Sequence, residues 1–199
     1  MAASLKGPNL GDIIRSKLPN YKQNFLLEIG YYEGATYPDG TSVVEVAIVN
    51  EFGAVIDHPG GTKYIKDAVI ARKVNGEEIY HVGVRFVSEH FVGETHITGP
   101  HQIVIPARPF FRTALANNLE KWKKDFAFVF KKTGYDVEKS LSGLGVVVKR
   151  DIQQQIDNTY EPPNAPSTIR AKKGTTHPLI GLYKLLYNSI AWQVIDVSS

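Results

Sequence analysis

The chain has 199 residues, 43% of them hydrophobic and 22% charged, with 23 basic and 20 acidic side chains, a formal net charge of +3 and no cysteine. That length carries one sizeable domain, or one with a small appendage. The near-balanced charge gives no electrostatic case for a nucleic-acid binder, and the absence of cysteine excludes disulfides, thiolate metal sites and a cysteine nucleophile.

No stretch approaches the ~18 consecutive apolar residues of a membrane span, and Met1 to Asp12 lacks the apolar run of a signal peptide. Synthesis in a reducing cytoplasm is therefore expected. Leu10, Ile13, Ile14 and Leu18 mark a short amphipathic helix over Asn9 to Leu18, stopped by Pro19. Phe25 to Tyr32 is rich in β-branched and aromatic residues and predicts a strand. After the turn signal Tyr37-Pro38-Asp39-Gly40, the stretch Thr41 to Phe52 reads as a helix. Its valines favour a strand, but Ser42 and Glu45 have capping-box spacing and Gly53 is placed to stop it, so the end signals decide.

His58-Pro59-Gly60-Gly61-Thr62 predicts a loop. From Tyr64 to Ile105 the chain reads as β structure, with a hairpin at Asn75-Gly76 flanked by Ile70 to Val74 and Ile79 to Val87. Charges on both sides of that turn make 64–105 a projecting β-rich arm or insertion. Ile103 to Ile105 is a short strand. Arg112 to Phe130 is the strongest helix, with Phe111, Leu115, Leu119, Trp122, Phe126 and Val129 as its apolar stripe. A second helix runs from Asp136 to Ile156 and contains Gly143 and Gly145, where close helix packing or a kink is expected. After the breaker-rich Glu161 to Pro166 come two short helices, Ser167 to Lys173 and Leu182 to Ser189, and a closing strand from Ile190 to Val197. The order predicts one α+β domain over 1–199, an antiparallel or mixed sheet packed against several helices, with the hairpin arm projecting.

Catalytic chemistry finds little purchase. His90, His96 and His101 share one β-rich stretch, but their spacing matches no familiar zinc site; a metal-dependent hydrolase built on them is a rival reading. His58 to Thr62 lacks the lysine of a phosphate loop, and Gly143-Leu144-Gly145 is a fragment of a dinucleotide fingerprint inside a helical stripe. Ser140, Ser142 and Ser189 lack a nucleophile elbow, and Glu77-Glu78 suits a solvated hairpin tip. Lys121, Lys123, Lys124, Lys131 and Lys132 form a basic run that a nucleic-acid accessory protein would use, although a solvated helix face is its usual meaning. No catalytic residue, metal or cofactor is assigned.

The most distinctive stretch is Ile105-Pro106-Ala107-Arg108-Pro109-Phe110-Phe111-Arg112. Two prolines fix φ and remove two donors, and they push Ile105 and Arg108 towards extended backbone. The result is a stiff elbow delivering two phenylalanines and two guanidiniums to a fixed place. Interfaces are anchored by such residues, so Arg108, Phe110, Phe111 and Arg112 are candidate oligomer or partner contacts, together with Glu51, Phe52, Asn75 and Gly76. One phenylalanine is expected to seal the core, and Arg108 and Arg112 to orient the junction or face a neighbour, so that loss of Arg108 impairs assembly more than folding.

Asn50-Glu51-Phe52-Gly53, His58 to Thr62, Pro100-His101 and Ile103 to Arg112 together resemble the tail-completion, minor tail and virion-morphogenesis proteins of long-tailed bacteriophages. The closing blocks are similar too: Ser167 to Gly174, His177-Pro178-Leu179-Ile180 and Leu185 to Ile190. The resemblance extends over about 150 residues in separated blocks; this chain has Gly181-Leu182-Tyr183 where the family has Asp-Thr-Gly. The resemblance implies a non-enzymatic neck or tail-completion subunit that joins tail to head. It also implies a homo-oligomeric ring, with a hexamer as one expected form, in contact with neck, connector and tail-tube proteins of the virion. A tail terminator capping the tube is the alternative within the same class. Synthesis in the bacterial host cytoplasm, no membrane partner, and no nucleic acid except DNA passing through the ring lumen are expected.

Overall fold

The computed structural model describes residues 25–74, 77–172 and 175–197. The chain is α+β, and it divides into two compact units: one formed by Met1–Gly53 with Pro106–Ser199, the other by Ala54–Ile105. The inserted unit thus begins at Ala54, ten residues before the expected start of the arm at Tyr64. The expected helix at Asn9 to Leu18 and the turn residues Asn75 and Gly76 lie outside the described residues.

The first unit starts with strand β1 (Phe25–Tyr31), which pairs antiparallel with the closing strand β7 (Ile190–Asp196), from Phe25 opposite Asp196 to Tyr31 opposite Ile190. Helix α1 (Val43–Phe52) forms despite its valines because both ends are built. Ser42 is extended and accepts the Val44 N–H at 3.2 Å, while Gly53, at φ 77°, donates to the Val49 carbonyl at 2.8 Å. Each such end is worth about 1 kcal/mol, enough to offset the modest helix penalty of a few β-branched residues.

Helices α2 (Phe110–Lys132) and α3 (Val137–Asn158) form a hairpin. Gly134 and Tyr135 turn the chain with φ of 69° and 70°, and Asp136 then caps α3 by accepting the Lys139 N–H at 3.0 Å. Short helices α4 (Pro166–Ala171) and α5 (Leu185–Asn188) follow. The core gathers Val43 and Ala47 of α1, Phe110, Ala114 and Trp122 of α2, Val148, Ile152 and Ile156 of α3, and Leu179, Leu186 and Ile190 from the closing segment.

The stripe on α2 matches the expected one at the buried Trp122 and the half-buried Phe126 and Val129, and departs from it at Leu115 and Leu119. Phe110, Ala114, Trp122 and Phe130 are buried, whereas Leu115 and Leu119 remain 48% and 44% exposed. The buried residues follow the i, i+4 ridge that starts at Phe110, so the row starting at Phe111 becomes its half-exposed neighbour. Lys121 and Trp122 explain the choice: the Trp122 indole donates to the buried Asp151 carboxylate of α3 at 2.7 Å, and that bond fixes the rotation of α2.

The inserted unit holds two small sheets. Strand β2 (Ala54–His58) pairs antiparallel with β6 (His101–Ile105), and the second sheet has the order β4 (Glu77–Phe86), β3 (Lys63–Val74), β5 (His96–Ile97). Strand β2 is not foreseen in the sequence, and β5 lies in the expected β region without a strand of its own assigned, since both are short and depend on partners far along the chain. The His58 to Thr62 loop is zipped to Thr98: Gly61 N–H donates to the Thr98 carbonyl at 2.9 Å and Thr98 N–H to the Thr62 carbonyl at 3.0 Å. Gly60 has φ +85°, and a Cβ there would lie 2.3 Å from the Thr98 oxygen, so the glycine allows two backbones to meet rather than a phosphate to bind.

The two α3 glycines differ in consequence. A Cβ on Gly145 would lie 2.5 Å from the Trp192 ring, whereas one on Gly143 would meet only a Val129 methyl at 3.2 Å. Overpacking against a rigid indole costs about 1–3 kcal/mol and exceeds the ~1 kcal/mol that alanine gains in a helix. Gly145→Ala is therefore expected to lower the urea midpoint, and Gly143→Ala to leave it unchanged or raise it.

Candidate functional site: the elbow clasp

The last turn of α1 and the elbow before α2 grip each other. Helix α2 begins after Pro109, which offers no side-chain cap. The first N–H groups of a helix need acceptors, and the positive end of its dipole favours an anion. Glu51 meets both needs from 60 residues upstream. Its carboxylate accepts the Phe111 N–H at 2.9 Å, the Arg112 N–H at 3.0 Å and the Arg112 Nε–H at 2.9 Å. Arg112 Nη2 also donates to the Glu51 carbonyl at 2.8 Å. Glu51 is only 6% exposed. Removing a carboxylate from water costs several kcal/mol, and charge-assisted bonds of about 1.5–3 kcal/mol each, three of them convergent, are what make this burial tenable.

Arg108 turns the other way. It is 4% exposed, and its Nε, Nη1 and Nη2 donate to the Pro162 carbonyl at 2.7 Å, the Asn50 side-chain oxygen at 3.2 Å and the Pro163 carbonyl at 3.1 Å. Its own N–H donates to the Asn50 carbonyl at 2.6 Å. Burial draws the guanidinium below its usual range. Lys172, whose ammonium donates to the His177 and Pro178 carbonyls, is lowered by burial first and by the charge of Arg108 second. Two cations thus organise the closing loops through carbonyl oxygens alone.

These positions revise the sequence reading of Arg108. A buried fork with three intramolecular acceptors does not face a neighbour; it fastens the elbow to 162–163 within the same chain. Phe110 is 1% exposed and meets Tyr31 edge to face at 6.3 Å, which makes it the phenylalanine that seals the core. Phe111 is half-buried, 6.4 Å from Phe110. Arg112 and Phe52 remain at the surface, with the guanidinium 4.7 Å from the ring centre. Together with Tyr31, Ala47, Ile48, Glu51, Phe110 and Phe111 they line a hollow of about 210 Å³. Asn75 and Gly76 lie outside the described residues. Asn50, Lys172 and the Pro162 and Pro163 carbonyls belong to the clasp although the sequence reading gave them no role.

The rival chemistries are reduced by the same geometry. His58 and His101 stand opposite each other across β2 and β6, with ring centres 4.9 Å apart, and His96 lies against Tyr64 at 5.4 Å. Among the described residues no group of three or more metal-capable side chains comes together. Of the basic run, Lys121 is bound to Asp151 and Asp125, Lys123 to Glu120, and Lys132 lies over the Phe128 ring. Burial pushes the Asp151 carboxyl up, but the bonds from Lys121 and Trp122 outweigh it and hold it below the usual carboxylate range. Two of the five lysines, Lys121 and Lys123, are therefore paired with acids of their own chain. No helix of the described residues is long and apolar enough to cross a membrane.

No family model, curated protein or solved structure matches this chain. The resemblance to phage tail-completion proteins rests on the order of its sequence blocks.

Truncating Arg108 removes the three charge-assisted hydrogen bonds of a buried guanidinium to half-buried and exposed acceptors, each bond worth about 1.5–3 kcal/mol. Arg108→Ala should therefore lower stability by about 3 kcal/mol or more, while Arg112→Ala, at a side chain 57% exposed, should cost about half as much. Urea unfolding of the two variants checks the order; a larger loss for Arg112→Ala would contradict the assignment of Arg108 as the internal fastener.

Proposed function

We propose that this protein is a structural subunit of a bacteriophage virion, a tail-completion or neck component that joins tail to head as a homo-oligomeric ring. The observation that carries the reading is the surface of Ala54–Ile105. Val55, Ile56, Val69, Ile79, Tyr80, Val82, Val84, Phe86, Val92, Ile97, Ile103 and Val104 are all at least 39% exposed there. Ala68 is the single buried residue among those of this unit whose burial is described. A soluble monomer rarely leaves so many large apolar side chains of one small unit in water, and extensive apolar surface marks contacts with other proteins. A β unit without a core of its own gains its packing when a neighbour covers it.

The order of the sequence blocks supplies the class of neighbour. Asn50 to Gly53 and Ile105 to Arg112, two of those blocks, are the two halves of the clasp. The clasp closes the first unit at the two places where the chain leaves for, and returns from, the β unit. It fits a subunit whose body must stay rigid while an apolar insertion is handed to partners. Leu115 and Leu119 on α2, and Ile48 and Phe52 on α1, add exposed apolar side chains on the first unit. A head-to-tail ring needs two different surfaces on one chain, and apolar groups on both units are available for them.

Mass spectrometry and cryo-electron microscopy of purified virions test the proposal. The protein is expected in the particle, in a ring between head and tail. Its absence from virions, with a monomer that no virion protein captures, would overturn the reading.

A further inference from the structure

We infer that the open edge of β4 is a two-fold docking strand that pairs antiparallel with β4 of a second copy, centred on residue 81. Strand β4 is the outer strand of its sheet, and among the described residues no strand pairs with its free side. A long, apolar edge is a ready template for another strand, and proteins that keep it free of partners place charges or prolines along it. Between Glu78 and Arg85 this edge reads Ile-Tyr-His-Val-Gly-Val, with no such guard. Tyr80 and Val82 are 60% and 65% exposed.

Charge selects the occupant and the register. Within its own hairpin Glu77 faces Val74 and Arg85 faces Ile65, so neither has a charge opposite. Both are exposed, and among the described residues neither is in a salt bridge. A two-fold pairing of identical antiparallel strands keeps each face with itself, so it must centre on a residue. Centred on 81, it sets Glu77 of each copy opposite Arg85 of the other and Tyr80 opposite Val82. Opposite charges and aromatic–branched pairs are the contacts that stabilise adjacent strands. Both ends of the pair are satisfied at once, which a foreign strand would match only by chance.

The contact rests on the reading of Ala54–Ile105 as an assembly surface and names one occupant for it. It closes on itself, so it links copies pairwise and is distinct from the head-to-tail contact of a ring.

The full-length chain is the material for the test, and its lack of cysteine makes cross-linking clean. Sedimentation equilibrium should show a concentration-dependent dimer. Glu77→Arg and Arg85→Glu should each weaken it about tenfold or more, and the double variant should restore it, since opposite charges meet again. Under mild oxidation His81→Cys should form a covalent dimer, because directly opposite Cα atoms are about 4.5–5.5 Å apart. Ile79→Cys and Gly83→Cys should each fail alone and cross-link only when mixed. A monomer at every concentration, a dimer indifferent to both reversals, or preferred cross-linking at 79 or 83 alone would overturn the contact. Protection, in a monomer, of those β4 amides that point away from β3 would do so too, by showing that another segment of the same chain covers the edge. Failure of this contact leaves the protein's presence in virions as a separate measurement, so the two readings fail separately.

Discussion

The fold of the first unit depends on one buried carboxylate. Glu51 stands at the end of α1 and is bound by the start of α2, so a single side chain fixes where one helix stops, where another begins and how the chain between them must return. Its position is unfavourable for its own helix, because the C-terminal end of a helix repels an acid. It is favourable for the next helix, which starts after a proline and brings no cap of its own. Arg108 then extends the joint to the Pro162 and Pro163 carbonyls. Lys172 continues it to His177 and Pro178. The closing segment, with Leu179, Leu186 and Ile190 in the core, is thereby tied to the same place.

This arrangement gives the two units different physical characters. The first buries aromatic and aliphatic side chains of α1, α2, α3 and the closing segment and satisfies its buried polar atoms: among the described residues no buried side-chain nitrogen or oxygen lacks a partner. The second has its hydrogen bonds in two small sheets but leaves its apolar side chains in water. The stiffness of Pro106 and Pro109 has meaning in that contrast. It belongs to the body of the protein, where the backbone must be held against the carbonyls that Arg108 binds.

Much of the fold was legible because it is local. Ser42, Gly53, Asp136 and the hydrophobic periods of α2 and α3 announce their helices within a few residues of the place where they act. The closing strand Ile190–Asp196 and the hairpin of β3 and β4 were readable from β-branched runs and an Asn-Gly pair. What was not legible depends on partners far away in sequence. Strand β2 exists only beside β6, and β5 only beside Tyr64 of β3. The rotation of α2 is set by Asp151, about thirty residues further on, so the choice between the Phe110 row and the Phe111 row was open until that partner was placed. The choice for Arg108 between orienting the junction and facing a neighbour was open for the same reason, because two of its acceptors are backbone oxygens of a proline-rich loop that carries no charge signal. One signal was present and unused: an acid in the last turn of α1 and an uncapped helix start after Pro109 are complementary defects.

The central claim is that the Glu51 carboxylate holds the first turn of α2. Hydrogen exchange at the Phe111 and Arg112 amides of the full chain measures it most directly. These two amides occupy helix positions that normally exchange freely, and here they should have the protection of the core, lost in Glu51→Ala while the α2 amides beyond the first turn keep theirs. Fast exchange at Phe111 and Arg112 in the unaltered protein, or protection unchanged by Glu51→Ala, would contradict it.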